Sequence, residues 1–128
     1  MSHRVTIDLV TYKPDTDKFI IVLVEEGPWA ENQVRDNLER LQDRLYNCVD
    51  VAVDGHLATK YPDSRGKGVV IRLDCYDTPE TEVESFFSRF TGHIRQSDEI
   101  QHDIVAKGFV ASLEFEYNRR TLPRESEE

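Results

Sequence analysis

Two cysteines, Cys48 and Cys75, are too few to build a disulfide framework in a chain of 128 residues. Both fall at apolar-patterned positions, so they are expected to be buried, reduced thiols. No apolar run approaches the roughly 20 residues that cross a bilayer. Met1-Ser2-His3-Arg4 also lacks the apolar core of a signal peptide. A cytoplasmic protein without a membrane partner is therefore expected. A surplus of basic charge is missing too. The formal net charge of −9 disfavours a nucleic-acid backbone or an anionic membrane as partner. No H-E-x-x-H or G-x-S-x-G pattern occurs.

What is present is strong amphipathic patterning. Val34, Leu38, Leu41, Leu45, Cys48, Val49 and Ala52 recur in steps of three and four. That spacing keeps one apolar stripe on a helix, with Glu31, Arg35, Asp36, Glu39, Arg40, Asp43 and Arg44 on the solvated side. Pro28 is expected in the first helical turn, where its missing N–H costs nothing, and Trp29 is expected over the sheet edge. The helix is predicted to reach about Lys60, bent at Gly55.

Before it, Arg4 to Tyr12 alternates as a half-buried strand, with Val5, Ile7 and Leu9 on one side. Phe19 to Val24 is apolar at every position, which suits a strand covered on both faces. The two read as an antiparallel hairpin. Val69, Ile71, Leu73 and Cys75 alternate in a third strand. Thr78 as N-cap and Pro79 as first-turn proline introduce a helix with the stripe Val83, Phe86, Phe87, Phe90 and Ile94. Ser97 then caps a short helix closed by Gly108. Phe109, Ala111, Leu113, Phe115 and Tyr117 alternate inward in the last strand. The expectation is one α+β domain over residues 1–117, a two-layer sandwich of order β-β-α-β-α-β. Its four-stranded mixed sheet carries the helices on one face, and residues 118–128 form a disordered, charged tail.

The hairpin, Leu23-Val24-Glu25-Glu26-Gly27-Pro28-Trp29, the leucine-spaced helix, Asp54-Gly55-His56-Leu57-Ala58-Thr59-Lys60-Tyr61-Pro62 and the valine-rich strand together resemble a bacterial family of small domains of unknown function. The resemblance covers about residues 5–117. It implies a bacterial cytoplasmic origin and the same α+β order, and it brings no catalytic or ligand-binding residues.

The chemical candidates are sparse. Asp98 and His102 stand four apart on a short helix but read as an exposed capping cluster, so no metal and no cofactor is expected. Glu114 and Glu116 share a strand face about 6.7 Å apart, a spacing that a solvent-facing strand explains as well as glycoside chemistry. No catalytic residue is assigned. Lys60, Arg65 and Lys67, with Gly66 and Gly68, make a candidate anion loop, although it leads into a strand rather than a helix. The feature that stands out is a second sheet face. If Phe19, Ile21 and Leu23 point inward, then Ile20, Val22 and Val24 point outward, joined by Val70, Val110 and Val10. An apolar patch there predicts a protein partner or a homodimer. The alternatives are an acidic immunity- or inhibitor-type protein that blocks a basic partner, and a small enzyme or ligand-binding protein.

Overall fold

The computed structural model describes residues 8–120. The expectations for Val5 and Ile7, and for residues 121–128 of the tail, lie outside the described residues. The elements are β1 (Leu9–Lys13), β2 (Lys18–Glu26), α1 (Val34–Val53), α2 (His56–Lys60), β3 (Lys67–Tyr76), α3 (Glu80–Gln96), α4 (Asp98–Lys107) and β4 (Val110–Arg120). The sheet order is β1-β2-β3-β4, antiparallel between β1 and β2 and parallel across the other two seams. Parallel neighbours need a crossover, which α1–α2 supplies before β3 and α3–α4 before β4. This is the expected α+β fold with a mixed four-stranded sheet.

The helices take their place because the strands alternate. Phe19, Ile21 and Leu23 of β2, with Val69, Ile71, Leu73 and Cys75 of β3, form one buried cluster with Leu41, Leu45, Cys48, Val49 and Ala52 of α1. Val83, Phe87, Phe90 and Ile94 of α3 complete it. Both cysteines lie inside, and burial pushes their thiols up, to about 12 for Cys48 and about 11 for Cys75.

Several local expectations need correction. The long helix does not run on to Lys60: it ends at Val53, and α2 restarts beyond Gly55, whose φ of +96° is left-handed. A Cβ at Gly55 would stand 2.7 Å from the Phe109 ring, so this glycine also admits a close approach. Pro28 is not in the first helical turn: Ala30 is still extended, and the helical backbone begins only at Glu31. Trp29, expected over the sheet edge, is partly buried against the core cluster. Thr78 does not cap α3. Pro79 holds the cap position without a side-chain bond, and Thr78 lies buried beside Cys75. Ser97 does cap α4, accepting the Ile100 N–H at 3.3 Å, and Gly108 closes that helix at φ +68°. Asn118 to Arg120 belong to β4 rather than to a tail.

Candidate interaction surface

On the face turned away from the helices, the strand register sets Ile20 beside Val70 and Val22 beside Arg72, with Glu114 and Glu116 next in line. Ile20 and Val22 do point this way, and neither belongs to the helix-side cluster. They are nevertheless covered in the single chain, at 4% and 3% exposure. Val24 and Val70 are half-buried. Val110 is misplaced by simple alternation. It pairs with Lys67, while Gly68 already pairs with Ser112, so a bulge at Ala111 shifts the parity and turns Val110 into the helix-side core. Ala111 is accordingly exposed. Val10 also packs against the core, and its neighbour Leu9 is the exposed residue, reversing the expected sides of this strand.

The other half of this face is polar and laced with ion pairs. Lys18 meets Glu114 at 2.9 Å. Asp74 receives Arg72 at 3.2 Å and Arg120 at 3.5 Å. The Asn118 side-chain amide donates to Asp74 at 3.3 Å. Glu114 is thus held by a lysine and does not stand with Glu116 as a free carboxylate pair.

The candidate anion loop does not converge. Lys67 donates to both carboxylate oxygens of Asp17, at 3.0 and 3.1 Å. Tyr12 donates to the same carboxylate at 2.6 Å. Arg65 lies 5.0 Å above the centre of the Phe109 ring, and the Gly66 N–H is taken by the Phe109 carbonyl. Arg65 and Lys67 share a depression with Asp63, whose charge opposes theirs. Lys60 faces a different cavity. Among the described residues, no group of three or more His, Cys, Asp or Glu side chains is placed to hold a metal ion. His102 and Asp98 are exposed on α4. No helix among the described residues is long and apolar enough to cross a membrane.

Sequence reasoning missed the edge of β1. This strand closes one side of the sheet and exposes Leu9 at 54% and Tyr12 at 44%. Beside it, on the helix side, runs a groove of about 410 Å³. Leu9 and Val10 of β1 line it with Val51, Leu57 and Tyr61, and the exposed His56 and Lys60 belong to the same lining. The opposite edge, β4, exposes Glu114, Glu116, Arg119 and Arg120. Such charges deter strand pairing, and β1 has none between Asp8 and Lys13. The uncharged run Leu9-Val10-Thr11-Tyr12 was the available signal in the sequence.

Comparison with curated proteins and with solved structures gives no match. A family model matches residues 1–106, from the start of the chain into α4, so that β4 lies beyond the matched span. On that match the chain belongs to a family of unknown function, DUF6572.

Proposed function

We propose that this chain is a non-enzymatic protein-interaction module that receives its partner along the edge of β1 that no other described strand pairs. The observation that carries the reading is the contrast between the two sheet edges: β4 is lined with charge, whereas β1 presents exposed Leu9 and Tyr12 and an uncharged backbone stretch. An extended segment added to such an edge gains main-chain hydrogen bonds and sets alternate side chains into the neighbouring groove. The non-enzymatic part is supported by two buried thiols held protonated and by the ion-paired state of Glu114. Two reduced thiols also suit the bacterial cytoplasm suggested by the resemblance. Association through the middle of the second sheet face has lost support, because Ile20 and Val22 are covered without a second molecule.

A photo-crosslinking side chain placed at Leu9, and separately at Arg35 on the exposed side of α1, tests the reading in cells. One defined adduct at Leu9 and none at Arg35 is the expected result. Equal labelling at both positions, or none at Leu9, would refute it.

A further inference from the structure

The groove beside β1 has an asymmetry of charge. Its one carboxylate, Asp8, is already engaged, accepting from Arg44 at 2.9 Å and from the Val24 N–H at 2.8 Å. Lys60, at the end of α2, is exposed and has no carboxylate partner among the described residues. Apart from the exposed His56, the rest of the lining is apolar, from Leu9, Val10, Val51, Leu57 and Tyr61. A strand laid beside β1 would run about 4.8 Å beyond it. Every second side chain would then turn toward α1 and α2, into this lining.

We infer that the β1–α2 groove takes an extended segment of a partner protein, with alternating β-branched side chains and a carboxylate that meets Lys60. This rests on the edge-strand reading above and adds the chemistry of the ligand. The net charge of −9 sets a further limit. A run of acids would be repelled by the whole molecule, so the fitting segment carries an isolated carboxylate in an apolar frame. The local pairing with Lys60 outlasts the distant repulsion once salt screens beyond about 8–10 Å.

The test is an amide-resonance titration of the full chain with two nonapeptides of alternating Val and Thr, identical except for a central Glu or Lys, up to about 2 mM. Shifts confined to β1, Val51 and α2, with the Glu peptide binding about threefold tighter, are expected. In Lys60→Glu the preference should reverse while the spectrum stays folded. Equal binding of both peptides at β1, unaffected by Lys60→Glu, would overturn the carboxylate assignment and leave the edge-strand reading standing. Absence of shifts at β1 with either peptide would overturn both. Concentration-dependent shifts at β1 without peptide would name a second copy as the occupant. Contacts from residues 1–7 to Leu57 or Tyr61 in the free protein would name the chain's own start. Either result would also overturn the inference.

Discussion

Arg40 grips Glu25 through two parallel hydrogen bonds, 2.9 Å from Nη1 and 2.8 Å from Nη2, joining the solvated side of α1 to the end of β2. Arg44, one turn on, donates to the same carboxylate at 2.6 Å and to the Val24 carbonyl at 3.1 Å. Glu25 itself is 3% exposed, so its charge is offset by these two guanidiniums and little else. Glu25→Ala takes the bidentate partner from Arg40 and leaves Arg44 to Asp8, at 2.9 Å, and the Val24 carbonyl. It should cost about 2–3 kcal/mol in urea unfolding, below the full cost of a wholly buried pair because Arg40 is half-exposed. A loss under about 1 kcal/mol would mean that Asp8 and water satisfy the two guanidiniums without Glu25.

Val22 and Leu9 are register partners across the β1–β2 seam, yet they should respond oppositely to charge. Val22→Lys buries an ammonium at a 3% exposed site and should destabilise the fold by about 2–4 kcal/mol. Leu9→Lys, at 54% exposure, should stay within about 0.5 kcal/mol of the parent. Thermal and urea unfolding of the two variants give the comparison. A stable Val22→Lys protein would mean that the second sheet face is open after all.

Gly55 and Gly66 both have positive φ, +96° and +80°. Alanine at either should strain the backbone by about 1–2 kcal/mol. Only Gly55→Ala also drives a methyl into the Phe109 ring, whereas nothing beyond the adjoining residues lies within 4 Å of the corresponding position at Gly66. Gly55→Ala should therefore be clearly the worse of the two in thermal unfolding. Equal losses would show that Phe109 moves aside freely.

Neither thiol should react with a disulfide reagent near pH 8 unless the chain opens. Burial lifts Cys48 to about 12 and Cys75 to about 11, so almost no thiolate exists in the folded state. Labelling of both should follow the unfolding equilibrium as urea is added. Fast labelling of one cysteine in native buffer would reveal local opening at that site.

The Asp17 carboxyl is held below its ordinary range, first by the Tyr12 hydroxyl and then by Lys67. A lowered folded value means that its contribution is present above the unfolded carboxylate range and is lost as pH falls through the folded value. Tyr12 is raised, chiefly by the same hydrogen bond, so its share is present below the unfolded phenol range and lost as pH climbs through the folded value. Because this corner is exposed, both effects should be small and weaken with salt. Tyr12→Phe should bring the Asp17 midpoint upward in a carboxyl-detected titration. An unmoved midpoint would assign the depression to Lys67 alone.

The periodic parts of this fold were legible because one physical demand set them. Leu41, Leu45, Cys48 and Val49 had to share a helix face, and Phe19 to Leu23 could be buried throughout only in a covered strand. The errors fall where alternation is interrupted. One extra residue at Ala111 reversed the side of Val110, and no composition marks a bulge between Gly108 and Leu113. Leu9 and Val10 exchanged sides because both are apolar, leaving periodicity without a preference. Lys60, Arg65 and Lys67 sit close in sequence, but Lys60 lines the β1 groove while Arg65 stacks on Phe109 and Lys67 is tied to Asp17, so the three charges do not meet. The β1 groove was hidden for another reason: its walls come from segments some forty residues apart, and their meeting is a property of the packed chain.

Both seams of β3 are parallel, so neither can zip from a tight local turn, and this has a consequence during synthesis. The first seam waits for α1 and α2 to emerge and dock. The second stays raw until Val110–Arg120 has cleared the ribosome, while Val69, Ile71 and Leu73 are already in place. A stalled or prematurely stopped nascent chain therefore displays the unpaired backbone edge of β3 to its neighbours, and that is the stage of its life most exposed to clumping.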